Sequence, residues 1–265
     1  MSRRLRLDAE LVRRGLARSR DQAADLIAAG RVAIAGQVAA KPASQVATDA
    51  PITVAEDGDA PGYVSRGGTK LAGALAAFHG LAVTGKRCLD AGASTGGFTD
   101  VLLRAGASHV IAVDVGYGQL AWSLRSDERV TVLDRVNVRS LRPDQVAPPP
   151  ALVVADLSFI SLTLVLPALV SCAAADADFV LMVKPQFEVG RDLVGGGVVR
   201  DPVLRSAAVA SVAAAAADLG LGVAGVTASP LPGPSGNVEY FLWLRGDAAP
   251  LDHDELASAV AAGPQ

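Results

Sequence analysis

The period of the hydrophobic positions changes near residue 60. Before it, Leu5, Leu7, Leu11 and Val12 recur at helical spacing and stop at Gly15. Ser19 reads as the N-cap of a second helix with Gln22 as its capping-box partner. Ala23, Ala24, Leu26 and Ile27 form its apolar face up to Gly30. Arg31-Val-Ala-Ile-Ala-Gly then alternates as a short strand turning at Gly36, and Ile52-Thr-Val returns as another. Residues 1–59 are thus expected to form a small α+β module. The acidic, turn-rich Glu56-Asp-Gly-Asp-Ala-Pro-Gly and residues 60–63 read as its linker.

From residue 81 onward, apolar strands alternate with helical stretches. Arg87-Cys-Leu-Asp, His109-Val-Ile-Ala-Val-Asp, Val130-Thr-Val-Leu-Asp and Ala151-Leu-Val-Val-Ala-Asp are the first four strands. Phe179-Val-Leu-Met-Val-Lys, Gly222-Val-Ala-Gly-Val-Thr and Glu239-Tyr-Phe-Leu-Trp-Leu complete seven. The alternation predicts an α/β domain with a parallel, Rossmann-like sheet covered on both faces, spanning 64–250. The last two strands are joined by Pro230-Leu-Pro-Gly-Pro-Ser-Gly-Asn, too short for a crossover helix, so the seventh should run antiparallel. Residues 251–265 read as a tail.

Composition sharpens this picture. Of 265 residues, 51% are hydrophobic and 19% charged, which supports a buried core and excludes wholesale disorder. The net charge of −3 is unevenly spread: residues 1–31 carry eight Arg against Asp8, Glu10, Asp21 and Asp25, a local +4, which leaves −7 on the rest. A basic head on an acidic body points to a nucleic-acid or acidic-surface contact at the N-terminus. Only four of the 24 basic residues are lysines: Lys41, Lys70, Lys86 and Lys184. Each invites the question of whether an ammonium is needed. Cys88 and Cys172 lie in apolar stretches, so no disulfide framework is expected and a reducing cytoplasm fits. The arginine-rich N-terminus lacks the apolar run of a secretory signal. Leu157–Ala175 is uncharged for 19 residues, but its hydroxyl side chains and central Pro167 favour a buried connection and helix over a membrane span.

The first strand of the body ends Asp90-Ala-Gly-Ala-Ser-Thr-Gly-Gly-Phe-Thr. Gly92, Gly96 and Gly97 permit a tight turn and close approach of a ligand. The spacing differs from the dinucleotide fingerprint and suits the methionyl part of S-adenosylmethionine. Asp114 ends the second strand 22 residues after Gly92, where an acid can accept two ribose hydroxyls, and Asn137 lies past the third strand at the adenine end. A nicotinamide dinucleotide site is the alternative.

Four polar residues fall at one edge of the sheet: Asp156 and Lys184 end strands four and five, Glu239 begins strand seven, and Lys70 lies in the helix leading in. Ligands bind at this edge in open α/β sheets. Two lysines and two carboxylates beside such a loop suit transfer to a hydroxyl, with a neutral lysine as base. Glu239 would hold Lys70 or the ribose, and Asp156 the lysine or the methyl donor. Taken singly, each could be an ordinary ion pair.

Arg6-Leu-Asp-Ala-Glu-Leu-Val-Arg-Arg-Gly-Leu-Ala-Arg-Ser-Arg, with Ala-Ala-Asp-Leu-Ile-Ala-Ala-Gly-Arg-Val and Lys41-Pro, closely resembles the alpha-L RNA-binding domain of rRNA- and tRNA-modifying enzymes. Expected RNA contacts are Arg4, Arg6, Arg18, Arg20, Arg31, Lys41 and, in the body, Arg66. A solvated basic face on a dimerisation helix is the alternative. The four-residue constellation matches the Lys-Asp-Lys-Glu tetrad of FtsJ-like ribose 2'-O-methyltransferases. Together with the head it resembles the TlyA family of haemolysin-like rRNA methyltransferases. Val64-Ser-Arg-Gly-Gly-Thr-Lys-Leu, the Asp90 loop, Asp114-Val-Gly-Tyr-Gly-Gln-Leu-Ala-Trp, Asp156-Leu-Ser-Phe-Ile-Ser, Val183-Lys-Pro-Gln-Phe-Glu and Ser235-Gly-Asn-Val-Glu-Tyr-Phe carry that resemblance over residues 3–245.

The resemblance implies methylation of cytidine 2'-hydroxyls in small- and large-subunit rRNA, linked to sensitivity to capreomycin-type antibiotics. It implies Lys70, Asp156, Lys184 and Glu239 as catalytic residues and no metal. Asp90, Gly92, Ser94, Gly96, Gly97, Phe98, Asp114, Val115 and Asn137 would contact S-adenosylmethionine. One departure stands out: Ala60-Pro-Gly-Tyr occupies the linker, where related mycobacterial proteins have Arg-Ala-Trp-Val. A cytoplasmic monomer acting on rRNA in ribosomal subunits or the ribosome is expected, with no DNA partner and no stable membrane insertion. A membrane-active cytolysin and a non-catalytic ribosome-assembly factor are the competing readings.

Overall fold

The computed structural model describes residues 4–28, 31–35, 37–39, 41–54, 62–190, 194–233 and 236–264. The turn at Gly36, the acidic linker with Ala60 and Pro61, and Ser235 fall outside them. The chain divides into two compact units, Met1–Gly62 and Tyr63–Gln265.

In the first unit, β1 (Arg4–Arg6) leads into α1 (Leu7–Arg13), followed by α2 (Arg20–Ala28), β2 (Val32–Ile34), β3 (Gln37–Val38), β4 (Gln45–Ala47) and β5 (Ile52–Val54). Leu5, grouped above with the helical positions, lies instead in β1, which pairs antiparallel with β4 opposite Val46. The helix spacing begins only at Leu7, because the preceding backbone hydrogen bonds go to a strand 40 residues away. β2 pairs with both β3 and β5. Ser19 Oγ accepts from Gln22 N at 3.1 Å, and the Gln22 side chain accepts from Arg18 N at 2.6 Å, closing the start of α2. Leu7, Leu11, Ala23, Ile27, Val32 and Val46 form this unit's core.

The second unit begins with α3 (Arg66–Ala77), β6 (Arg87–Ala91), α4 (Gly97–Arg104), β7 (His109–Asp114), α5 (Trp122–Arg125), β8 (Val130–Asp134) and α6 (Pro143–Val146). It continues with β9 (Leu152–Ala155), α7 (Leu166–Cys172), β10 (Asp178–Val183), α8 (Pro185–Glu188), α9 (Pro202–Ala217), β11 (Gly222–Ala228), β12 (Tyr240–Arg245) and α10 (His253–Ala262). The seven strands lie in the order β11-β12-β10-β9-β6-β7-β8. β12 is antiparallel to both neighbours, as the short connection before it requires. The uncharged stretch 157–175 is a connection and the short α7, but the connection is only partly buried, as Ser158, Phe159 and Leu164 are exposed, where the sequence predicts a buried one. No helix among the described residues is long and apolar enough to cross a membrane.

Residues 251–265, read above as a tail, carry α10. Asp252 caps it by accepting from Asp254 N and Glu255 N, and Leu256, Ala259 and Val260 join the core. The i, i+3, i+4 spacing of these three residues was the signal of a packed helix.

Strand alternation sorts the sheet into two faces. Leu89, Ala155, Val183 and Tyr240 join one core cluster; Cys88, Val154, Met182 and Phe241 join the other, with Leu71 of α3 and Phe98 of α4. The residues that follow at the strand ends on the second face are Asp90, Asp156, Lys184 and Glu239. The sheet therefore delivers four charged side chains to one edge, on the α3–α4 side.

Candidate active site

Register brings two of these residues opposite one another. Val183 pairs with Tyr240 across β10 and β12, so Lys184 and Glu239 occupy the next pair out. α3 supplies the counter-ion for Glu239: Lys70 Nζ lies 2.5 Å from Glu239 Oε2, with Lys70 4% and Glu239 1% exposed. Lys184 Nζ lies 2.6 Å from Asp156 Oδ1 and donates to Ser158 Oγ at 2.9 Å. Each lysine thus has its own carboxylate. The Lys184–Asp156 pair is the more open of the two, with Asp156's side chain 24% exposed. Arg66, expected among the RNA contacts, is half-buried and donates to the Pro232 carbonyl. It ties the 229–233 loop beside Lys70–Glu239, and an added Cβ at Gly233 would lie 2.7 Å from Glu239 Oε1.

The glycine loop after β6 lies against Asp156 at the end of β9. Gly92 has φ +87°, and a Cβ there would sit 2.5 Å from the Asp156 carbonyl oxygen. Gly96, at φ +100°, would collide with Leu120 and Leu124. Phe98 is buried and packs near Phe241, with ring centroids 6.1 Å apart. Thr99 Oγ1 donates to Asp90 Oδ2 at 2.7 Å, while Asp90 Oδ1 is buried without a partner. Burial pushes the Asp90 carboxyl up to about 7; Thr99 works against this, and the Asp156 and Asp114 charges add to it.

Asp114 receives Ser94 N on Oδ2 at 2.8 Å and Gly116 N on Oδ1 at 2.7 Å. Each oxygen keeps a further lone pair, so the carboxylate remains able to accept hydroxyls. Val115 beside it is exposed. Asn137, expected at the adenine end, uses its side-chain oxygen to cap the turn after β8, accepting from Arg139 N at 3.0 Å.

Two aromatic residues went unremarked as site residues in the sequence reading. Phe159 has φ +65° and is 90% exposed, and it lies on Phe187 with ring centroids 5.2 Å apart. A left-handed phenylalanine costs about 1–2 kcal/mol. The motifs containing both residues were visible, but nothing in a single sequence marks a positive φ.

In the first unit, Arg4, Arg6, Arg18, Arg20 and Lys41 are exposed and Arg31 is half-buried. Arg6 and Arg20 converge on Asp8, with contacts of 2.8 and 2.9 Å. Among the described residues no group of His, Cys, Asp and Glu could hold a metal ion.

Residues 63–246 match the FtsJ-like methyltransferase family, and residues 5–52 match the S4 domain. The chain is 61% identical over the full length of both chains to the 16S/23S rRNA (cytidine-2'-O)-methyltransferase TlyA of Mycobacterium tuberculosis. It is 38% identical to Hemolysin A of Brachyspira hyodysenteriae, over 89% of this chain and 98% of that one. A solved structure from Streptococcus thermophilus that carries a hemolysin label superposes with a TM-score of 0.79 at 38% identity, covering 98% of this chain and 96% of that one. With an FtsJ-like body over most of its length, an S4 head and relatives matched end to end, the chain belongs to the TlyA branch of the FtsJ-like methyltransferase family.

Proposed function

We propose that the protein transfers a methyl group from S-adenosylmethionine to the ribose 2'-hydroxyl of cytidines in small- and large-subunit rRNA. The observation that carries this reading is the row of two lysine–carboxylate pairs along one sheet edge, beside a glycine loop whose backbone leaves no room for side chains.

The residues present fit the cofactor. Gly92 and Gly96, both at positive φ, hold the loop tight against the Asp156 carbonyl and against Leu120 and Leu124, and the orphaned Asp90 Oδ1 is an acceptor suited to a cationic end group. Asp114 would take the ribose hydroxyls, with Ser94, Gly97, Phe98, Val115 and Asn137 around it. When bound, S-adenosylmethionine supplies a methyl group on a sulfonium, open to attack by oxygen.

The chain supplies the rest. Lys184, in its amine form, takes the proton of the 2'-hydroxyl as the oxygen gains the methyl group. Asp156 and Ser158 hold Lys184 in line and stabilise the ammonium that results. The buried Lys70–Glu239 pair fixes the neighbouring wall and presents positive charge beside the developing alkoxide. The exposed ring of Phe159 offers a stacking face for an unpaired base near the target. The arginines and Lys41 of the S4 head engage phosphates.

Mapping 2'-O-methyl groups on rRNA from cells with and without the gene tests this reading. Cytidine sites that vanish with the gene and return with the wild type, but not with Lys184→Ala, are expected. Identical maps would overturn it.

A further inference from the structure

The loop that follows Asp156 is gripped twice by the segment that follows Lys184. Lys184 holds its near end through Asp156 and Ser158. Glu188, at the end of α8, holds its far end: one carboxylate oxygen accepts from Ser161 Oγ at 2.5 Å and the other from Leu162 N at 2.8 Å. Ser161 is braced in turn by Thr163, with their hydroxyls 2.7 Å apart. Between the two grips lies Phe159, left-handed and exposed, resting on Phe187 from the opposite segment. A non-glycine residue stays in that region only where its surroundings over-determine it. Glu188 carries two of the bonds that do so, and the chemistry assigned above makes no use of it.

We propose that Glu188 is a positioning residue for RNA binding: by fixing the Ser161–Leu162 end of the loop, it keeps Phe159 turned outward as a stacking face. This rests on the RNA-directed reading above. Without the Glu188 carboxylate, the loop's far end is free to relax, Phe159 returns to an ordinary backbone conformation, and the face is lost. The glycine loop after β6 meets the near end, at Asp156 and Leu157, which Lys184 still holds through Asp156.

The test measures binding of the full-length protein to purified ribosomal subunits from cells lacking the gene, alongside methyl transfer to the same subunits. Phe159→Ala is expected to weaken binding about tenfold, within the range for loss of one base stack. Glu188→Ala should come close to that loss, while S-adenosylmethionine binding by calorimetry and the melting midpoint stay at wild-type values. The double variant should bind no worse than Phe159→Ala, because Glu188 acts through Phe159. Glu188→Gln should bind nearly as wild type, since an amide still accepts from Leu162 N and donates to Ser161 Oγ. Should Glu188→Ala fail to fold, Ser161→Ala, which removes one of the two bonds, takes its place in the cycle with a smaller loss. Wild-type binding by the Ala variant, multiplied losses in the double variant, or a Gln variant as weak as the Ala variant would each overturn the inference. A wild type that binds subunits but methylates neither would instead overturn the functional reading and leave the binding comparison standing.

Discussion

The S4 head and the ligand edge of the body both bury carboxylates, and they neutralise them differently. In the head, Glu10 is fully buried and receives Arg13 and Arg14 at 2.6 and 2.7 Å, and Asp8 receives Arg6 and Arg20. At the ligand edge, the partners are Lys70 and Lys184, and Asp90 has no cation at all. A guanidinium does not release its proton at accessible pH and grips a carboxylate through two nitrogens, so the head's pairs are permanent fixtures of its fold. An ammonium can exchange its proton. The chain carries only four lysines, and two of them stand at this edge, where the proposed reaction has Lys184 take up a proton. Choice of cation therefore distinguishes the head's buried pairs from those at the ligand edge, although elsewhere in the body arginine also pairs with carboxylates, as Arg104 does with the buried Asp100.

The largest stability effect should come from breaking the most buried pair. Lys70→Met leaves Glu239 charged and unpartnered in the interior, at a cost of about 3–5 kcal/mol. Adding Glu239→Leu should restore most of the melting temperature but no activity. If the single variant melts like wild type, the pair is not the buried anchor described here.

A cofactor effect comes next. Gly92→Ala should abolish measurable S-adenosylmethionine binding in calorimetry, because the Cβ meets the Asp156 carbonyl and φ is +87°. Wild-type affinity in this variant would show that the loop has room to spare.

The two units should also respond oppositely to pH. The Arg6 hydrogen bond holds Asp8 well below the usual carboxylate range, and Arg13 and Arg14 lower Glu10 to about 2. Their contribution to the head is complete above the ordinary carboxylate pKa near 4 and is lost as pH falls toward 2. Asp90 is raised, so its contribution to the body is complete below about 4 and is lost as pH rises through about 7. Hydrogen exchange of head and body peptides separates the two. Head protection should collapse in acid, and Asp90→Asn should flatten the body's decline near neutrality. A body whose pH slope ignores Asp90→Asn would break the contrast.

The smallest effect is the one on salt. Arg18→Ala should lower the slope of log affinity for rRNA against log salt by about one unit and leave cofactor binding alone. Arg20→Ala should do the same and also loosen Asp8. An unchanged slope would make the basic face a solvated surface.

Much of this contrast was legible in the chain. Seven strands, the antiparallel last one, and the tetrad at one edge follow from alternation and from a loop too short for a crossover. Scarcity made the lysines conspicuous. Other features depend on partners far apart in sequence. Leu5 was assigned to a helix because its strand partner, Val46, lies 41 residues on. Arg66 reads as a basic residue beside glycines, and only the folded chain brings Pro232 to it. The α10 helix was overlooked although its cap and apolar spacing were both present. Phe159's left-handed backbone, and the Glu188 grip that accompanies it, have no signature in one sequence.

The contrast between cations is tested most directly at Lys184. Methyl transfer from labelled S-adenosylmethionine to purified ribosomal subunits should be compared for wild type, Lys184→Ala and Lys184→Arg, with cofactor and subunit binding measured in parallel. All three should bind both ligands, and both variants should lose transfer by about 10²–10⁴-fold, because a guanidinium preserves the charge but cannot take up the hydroxyl proton. Substantial transfer by Lys184→Arg would contradict the base assignment and leave Lys184 an electrostatic clamp, no different in kind from the arginines of the head.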